Sequence, residues 1–220
     1  MEIFTIEEVA RFLKVSKEKV LELIERGEMP AIEIGDSYRI TNKVLNEFIG
    51  DTTDEKDYNI LEPSFYILNG GLVDDIDVNS KEDLIDRIVK VAILYNDLSD
   101  ENEKEFRNHL LDRESMSSTG VGHGIAILHT KEVYKDLRKP FIIFARLSEP
   151  VDFESIDGQD VDLVFLIAMP DRHSHLKIMG ALSKMIHKQD QFINELRASP
   201  REELLDIIIK QENKVLVNGL

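Results

Sequence analysis

The chain has 220 residues, of which 42% are hydrophobic and 32% charged, a composition typical of a soluble globular protein with one or two domains. It contains no cysteine, which excludes disulfides, cysteine-ligated zinc, iron–sulfur clusters and thiol nucleophiles. Because no stretch approaches the ~18 apolar residues of a membrane span and no basic-then-apolar leader is present, we expect a cytoplasmic protein without membrane contact. The net charge of −16 repels phosphate backbones at long range, so a nucleic-acid-binding role has to overcome that field locally.

Two short helices are predicted at the start of the chain. Thr5 and Glu8 form a capping-box pattern in front of a short helix with one apolar face. Ser16 is placed to cap a second helix, and Gly27 stands where a left-handed residue would end it. The short connection between the two patterns, residues 14–16, predicts a helix-turn-helix.

A hairpin and a third helix complete this first unit. Apolar and polar residues alternate over 32–40 on either side of Gly35-Asp36, which predicts two antiparallel strands joined by a tight turn. Thr41 is placed to cap a last helix that ends at Gly50.

The rest of the chain predicts a linker and a larger α/β domain. Residues 51–62 are acidic and lack a helical or strand period, so we interpret them as a linker. From Pro63 on, helical patterns alternate with short apolar runs that suit strands covered on both faces. Helices are predicted from Ser80 and over about 99–114, 175–186, 191–198 and 200–211, and strands over 125–128, 141–145 and 161–169.

Two histidines follow the ends of predicted strands. His129 ends the run 125–128, and His175 lies just beyond the run 161–169. Ligands of open α/β sheets bind at the carboxyl ends of the strands. If the two strands run parallel, both rings converge on one cleft.

A glycine-rich loop precedes His129. Residues 115–124 hold three glycines and several hydroxyls, so backbone N–H groups there can approach an anion, with Ser118 and Thr119 as extra donors. Arg113 stands just before the loop and can neutralise phosphate charge. The loop matches neither the P-loop nor the dinucleotide fingerprint, because it lacks their lysine and their spacing.

These residue types favour phosphoryl chemistry over metal binding. An imidazole with a pKa near 6.5 is largely neutral at cytoplasmic pH and offers a lone pair, and phosphoryl transfer needs little beyond in-line positioning and charge stabilisation. The alternative is a histidine-rich metal site built from His123, His129, His173 and His175. No carboxylate falls at a recognised zinc spacing, and loop amides suit an anion better than a cation, so we expect neither a metal nor a cofactor.

The segment Arg113-Glu114 followed by Ser118–His129 resembles the active-site stretch of the fructose/mannitol-type enzyme IIA domains of the bacterial phosphoenolpyruvate-dependent phosphotransferase system, including the nitrogen-type members. In that family the stretch reads roughly Ser-Thr-Gly-Ile-Gly-Asn-Gly-Ile-Ala-Ile-Pro-His, and its last histidine accepts the phosphoryl group. His175-Leu176 matches the family's His-Leu pair. The resemblance covers about residues 63–212 and implies a mixed sheet with helices on both faces.

The resemblance also implies roles and a partner. His129 is expected to accept a phosphoryl group from a histidine phosphocarrier protein. His175 is expected to donate a hydrogen bond to the phosphoryl oxygens. Arg113, the amides of Ser118, Thr119 and Gly120, and the His123 side chain are expected to stabilise the phosphoryl group. Two positions depart from the family pattern: Leu128 replaces a proline, which leaves the acceptor ring less fixed, and His123 replaces an asparagine, which would add positive charge below about pH 6.5.

The segments 5–16, 20–31 and 34–40 are similar to the excisionase-like winged-helix domains related to MerR regulators. In that family the second helix enters the major groove of DNA and the hairpin wing touches the backbone. The DNA-facing candidates by match are Ser16, Lys17 and Lys19 on the helix and Ser37, Tyr38 and Arg39 at the wing.

The charge of this first unit leaves its partner open. Residues 1–50 carry seven basic and ten acidic side chains, a net of 7 − 10 = −3, whereas DNA readers are usually basic. The alternatives are DNA binding and a winged-helix fold used for protein contact or dimerisation, and a homodimer is compatible with either.

We therefore predict four segments: an excisionase-like domain over 1–50, the linker over 51–62, an enzyme IIA-like domain over 63–212 and a tail over 213–220. The predicted function is a regulatory phosphocarrier of phosphotransferase class, in which phosphorylation of His129 is coupled to what the first domain binds. The alternative is a DNA-binding or protein-binding transcriptional regulator whose IIA-like domain is a degenerate sensor.

Overall fold

The computed structural model describes residues 3–13, 15–34, 37–41, 44, 62–96, 100–130, 137 and 139–217, and the statements below concern these residues. The chain divides into two compact units, residues 1–60 and 61–220. Within the described ranges no helix is long and apolar enough to cross a membrane.

The described residues of the first unit form two complete helices and a small antiparallel sheet. Its elements are β1 (Ile3–Thr5), α1 (Ile6–Phe12), α2 (Lys17–Glu25), β2 (Ile32–Ile34) and β3 (Ser37–Thr41). The strand order is β1-β3-β2, and β1 was not expected because three residues give too short a pattern. The buried apolar side chains include Val9, Val20, Leu23, Met29 and Ile40.

The predicted helix boundaries of this unit are confirmed by their caps. The Thr5 backbone N–H donates to Glu8 Oε2 at 2.7 Å and the Glu8 N–H donates back to Thr5 Oγ1 at 3.2 Å, which is a complete capping box. Ser16 Oγ accepts from the Lys19 N–H at 3.3 Å, and Gly27 takes φ +72° after α2.

The end of the first unit is only partly described. Thr41 Oγ1 accepts from the Val44 N–H at 3.3 Å, as a helix cap would. The remainder of the predicted helix up to Gly50, the turn 35–36 and the linker up to residue 61 lie outside the described residues.

The second unit alternates helices and strands. Its helices are α3 (Pro63–Gly70), α4 (Lys81–Asn96), α5 (Asp100–Met116), α6 (Arg172–Ile186), α7 (Asp190–Ala198) and α8 (Leu204–Glu212), with a 3₁₀ turn at Arg201–Glu203 and a π turn at Asn213–Val217. Its strands are β4 (Gly71–Ile76), β5 (Gly120–Gly122), β6 (Ile125–His129), β7 (Phe141–Val151) and β8 (Val161–Ala168). All three predicted strands are present, whereas α3, β4 and β5 were not anticipated.

The five strands form one mixed sheet in the order β4-β7-β8-β6-β5. β4 is parallel to β7 and β6 is parallel to β8, while β7 runs antiparallel to β8 and β5 antiparallel to β6. The predicted mixed sheet flanked by helices is thus confirmed.

The central strands are buried on both faces, as their continuous apolar runs predict. One face packs Leu128, Ile143 and Leu166 into a core with Ile88 and Phe106 from α4 and α5. Residues at the alternating positions face the other side of the sheet, where the rings of Phe144 and Phe165 lie 4.9 Å apart. This two-sided burial holds the strand ends, and therefore the residues that follow them, in fixed positions.

Candidate active site

The sheet brings His129 and His175 together. β6 and β8 are parallel, with His129 in register with Ile167, so the carboxyl ends of both strands lie on the same side of the sheet. After β8 the Asp171 side chain caps α6 by accepting from the Ser174 N–H at 2.9 Å, and His175 lies in the first turn of that helix. The two ring centroids are 5.1 Å apart, which confirms that the rings converge beyond the carboxyl ends of these strands.

Two fixed partners determine the tautomer of the His129 ring. Its Nδ1 lies 3.0 Å from the Ile127 carbonyl oxygen, which can only accept, so Nδ1 carries the proton. Its Nε2 lies 3.0 Å from Arg113 Nε, which can only donate, so Nε2 carries the lone pair. The ring therefore presents Nε2 as its nucleophilic atom.

Arg113 is held on the other side as well. It lies in the last turn of α5, and its Nη1 donates to the Ser117 carbonyl at 2.8 Å. The guanidinium thus stands directly in front of Nε2, where it would face the negative charge of an anionic group bound to that nitrogen.

Both imidazoles are kept neutral. Burial lowers the pKa of His129, and the Arg113 charge lowers it further, while the hydrogen bond to Ile127 acts in the opposite direction. Burial, followed by the nearby His129 and Arg113, lowers the pKa of His175 to about 4. At neutral pH the site therefore holds two uncharged rings beside one cation.

The loop donors expected to bind an anion are engaged inside the protein. The Thr119 N–H and hydroxyl donate to Glu114 Oε2 at 3.1 and 2.6 Å. The Ser118 hydroxyl donates to the Phe153 carbonyl at 2.5 Å and accepts from the Gly120 N–H at 3.0 Å. In this geometry the Thr119 and Gly120 amides are not directed at an anion, and their predicted role would require these bonds to be exchanged.

His123 lies at the opposite end of β6, which corrects its assignment to the phosphoryl site. It occupies the β5–β6 turn, and the four steps from Ile125 to His129 span about 13 Å. The His123 ring instead approaches Asp190, with Nδ1 3.7 Å from Oδ1. Its φ of +56° explains the residue type, because asparagine and histidine are both enriched at positive φ.

Leu128 does not loosen the His129 ring. It is buried and in register with Leu166 of β8, and the pairing continues through His129. The strand fixes the backbone and two hydrogen bonds fix the ring, so the proline of the family pattern is not needed for orientation. Elsewhere, the described residues form no group of three or more histidine and carboxylate side chains suited to a metal ion.

The DNA-facing candidates of the first unit are largely occupied by local contacts. Ser16 caps α2, Lys17 Nζ lies 2.7 Å from Glu7, and Lys19 Nζ lies 3.0 Å from Glu22. Tyr38 and Arg39 lie in β3, where Arg39 Nη1 donates to the Tyr38 carbonyl at 2.9 Å. Ser37 begins the same strand. A phosphate backbone would have to compete with carboxylates for both lysines.

The sequence singles out His129, His175 and Arg113 as candidate site residues, but it does not single out Glu114. Its carboxylate holds the loop from a buried position, and a buried charged residue in the last turn of a polar helix has no periodic signature. Its place directly after Arg113 is the only sequence signal that pointed to it.

The second unit is thus an α/β domain with a mixed sheet, in which His129 at the end of β6 faces His175 of α6 and Arg113 of α5. The same chain also carries a helix-turn-helix unit. Residues 67–211 match the family described as phosphoenolpyruvate-dependent sugar phosphotransferase system, EIIA 2, and the chain belongs to this family. Residues 3–52 match the model of a helix-turn-helix domain.

Three similar proteins illustrate the relationship. A nitrogen regulatory protein of Bradyrhizobium diazoefficiens is 41% identical over 124 residues, covering 56% of this chain and 77% of that protein. The crystal structure of nitrogen regulatory protein IIA-Ntr from Neisseria meningitidis matches with a TM-score of 0.53 and 28% identity, covering 62% of this chain and 91% of that one. Enzyme IIAMTL of Escherichia coli, solved in complex with phosphorylated enzyme IIBMTL, shares the fold with a TM-score of 0.54 at 22% identity, covering 63% of this chain and 94% of that one.

Proposed function

We propose that this chain is a regulatory phosphocarrier in which His129 Nε2 accepts a phosphoryl group and the added charge alters what the helix-turn-helix unit binds. The observation that carries the proposal is the state of His129: a neutral, partly buried ring with its lone pair on Nε2, beside Arg113 and 5.1 Å from the His175 ring. Such a ring meets the requirement for a nucleophile without prior loss of a proton.

The transfer step balances without a cofactor. The Nε2 lone pair attacks phosphorus of a phosphohistidine donor, the N–P bond of the donor breaks, and the donor imidazole leaves with that electron pair. Nδ1 keeps its proton and its hydrogen bond to the Ile127 carbonyl. Arg113 moves from Nε2 to the phosphoryl oxygens, and neutral His175 donates an N–H to them, so that both act on the developing charge.

The surface beside the site suits a protein donor. Leu176, next to His175, is 59% exposed, and Met116, next to Ser117 at the end of α5, is 64% exposed. These two exposed side chains are therefore available for contact with a protein donor. We assign a histidine phosphocarrier protein of the phosphotransferase system as the donor. Such a donor would meet this chain in the cytoplasm, which is the location that we predict from the sequence.

The decisive measurement is the intact mass of the full chain after incubation with phosphoenolpyruvate and the general relay proteins. One phosphoryl group is expected on the wild type and on His187→Ala, which removes an exposed imidazole at the end of α6. His129→Ala is expected to stay unmodified. A wild type that stays unmodified would instead favour the degenerate-sensor alternative.

The first unit is proposed to bind DNA, with the phosphoryl group supplying roughly two negative charges as the regulatory signal. Lys17 and Lys19 are the cations at issue, and each removal should reduce the slope of log affinity against log salt by about 1. Lys90→Ala, an exposed lysine on α4, is the matched control for loss of one positive charge. Affinity that does not depend on salt would remove DNA as the partner and leave protein contact.

A further inference from the structure

Glu114 is a buried carboxylate directly beside the proposed acceptor machinery. It follows Arg113 in the last turn of α5, but its side chain is only 7% exposed. Oε2 accepts from both the N–H and the hydroxyl of Thr119. Within the described parts of the chain, Oε1 has no hydrogen-bond partner, and its nearest cation is Lys81 Nζ at 3.9 Å.

A carboxylate in this position is costly to keep. Removing a charged group from water is unfavourable unless hydrogen bonds and an opposite charge compensate, and here one oxygen is left without a hydrogen bond. The two hydrogen bonds from Thr119 and the Lys81 charge at 3.9 Å offset this cost, so the carboxylate and the loop residue Thr119 are fixed to each other.

The hydrogen bonds of the loop connect Glu114 to both nitrogen atoms of His129. On one side, the Thr119 carbonyl accepts from the Ile127 N–H at 3.0 Å, and the Ile127 carbonyl accepts from His129 Nδ1 at 3.0 Å. On the other, the Ser117 carbonyl accepts from Arg113 Nη1 at 2.8 Å, and Arg113 Nε donates to His129 Nε2 at 3.0 Å. Thr119 and Ser117 lie two residues apart in the same loop, and Glu114 holds that loop.

We propose that Glu114 is a positioning residue for phosphoryl acceptance: by fixing Thr119 it sets the loop 117–119, and through Ile127 and Arg113 it sets the tautomer and direction of the His129 ring. This inference rests on the proposed function of His129, since it names what prepares that ring. It also gives Thr119 a different task from the one the family resemblance implies, because Thr119 serves the acceptor ring and does not bind the phosphoryl group.

Two substitutions test the role at both ends of the contact. Glu114→Gln disturbs the contact in either orientation of the new amide. If the amide oxygen accepts from Thr119, the NH₂ group points at the Lys81 cation. If the amide is turned over, its NH₂ group meets the Thr119 donors and both hydrogen bonds are lost. Thr119→Val replaces the hydroxyl with a methyl group, whereas Thr119→Ser keeps the hydroxyl and removes the methyl group. Asp112→Asn is the matched control, because it removes an exposed charge one residue from Arg113.

The first readout is the ¹⁵N NMR spectrum of the His129 ring in the full chain, which needs no phosphorylation. The wild type, Asp112→Asn and Thr119→Ser should show a single Nδ1-protonated tautomer. Glu114→Gln and Thr119→Val should show a mixture, and His129 should titrate at higher pH as Arg113 is released from it. A merely structural role would lower the melting temperature without moving either signal.

The second readout is the rate of phosphoryl acceptance, which should fall by about 10–100-fold in Glu114→Gln and Thr119→Val, since misplacement of a reacting group by about 1 Å costs about that much. If the wild type is never phosphorylated, the proposed function fails while the NMR result still decides the role of Glu114. Folded variants that keep the wild-type tautomer and titration would overturn the inference. If Glu114→Gln does not fold, Thr119→Val decides alone.

Discussion

Acidification should destabilise the second unit through His175, and His175→Gln should remove that part of the effect. The pKa of His175 in the folded chain is about 4, because of burial and then the neighbouring His129 and Arg113, whereas an unfolded histidine has a pKa near 6.5. Between these values the unfolded chain binds a proton that the folded chain does not. Stability contributed by the neutral ring is therefore complete above pH 6.5 and is lost as the pH falls toward 4.

The size of the effect follows from the two pKa values. At pH 5.5 the linkage relation gives a loss of about 1.4 kcal/mol relative to neutral pH. The ring keeps some contact with solvent, so screening reduces this to about 0.7 kcal/mol. With a urea m-value of about 2 kcal/mol/M, the unfolding midpoint of the wild type should fall by about 0.3 M more than that of His175→Gln.

The assay is urea denaturation of the full chain at pH 7.5 and pH 5.5, followed by far-ultraviolet circular dichroism. Both pH values lie above the sequence pI of about 4.8, so the chain keeps its net negative charge. His187→Gln, which changes an exposed imidazole, should lose as much stability as the wild type. Equal losses in the wild type and in His175→Gln would refute the reasoning that burial and neighbouring charge set the His175 pKa.

Three further predictions concern the site and its support. Phosphoryl acceptance should keep its rate as the pH falls from about 8 to 6.5, because the lowered pKa of His129 keeps Nε2 unprotonated; a rate halved at pH 6.5 would contradict this. His123→Asn should change the acceptance rate by less than about twofold, whereas His123→Val should cost about 1–2 kcal/mol of stability at its positive φ. Gly70→Ala should destabilise by about 1–3 kcal/mol, because its Cβ would collide with the Ile142 carbonyl. Gly180→Ala on α6 meets no atom within 4 Å and should stabilise by about 0.5–1 kcal/mol, so similar melting temperatures for the two alanine variants would contradict the packing argument.

The sequence predicts the elements whose patterns are long or sharply capped. The continuous apolar runs that became β6, β7 and β8 indicate strands covered on both faces, and the caps at Thr5 and Ser16 fix two helix starts. α3 is not recognisable in this way, because almost all its residues are buried and it shows no amphipathic period. β5 is hidden in a glycine-rich segment that also suits an open loop.

The candidate site is predictable in its members and not in its contacts. Strand ends and topology locate His129 and His175, and the parallel pairing of β6 with β8 brings them together. The sequence does not reveal that the Thr119 and Gly120 amides are already hydrogen-bonded. Their partners are the Glu114 carboxylate and the Ser118 hydroxyl, which lie in the same stretch of chain. The sequence predicts His123 near His129 because only five residues separate them, but an extended strand of that length spans more than about 10 Å.

The hydrogen bond from Arg113 occupies the lone pair of His129 Nε2, the nitrogen that we propose as the phosphoryl acceptor. A small electrophile would have to displace the guanidinium before it reaches the lone pair. On that proposal, a phosphoryl donor, which carries negative charge, would attract the guanidinium away from Nε2 and expose the lone pair.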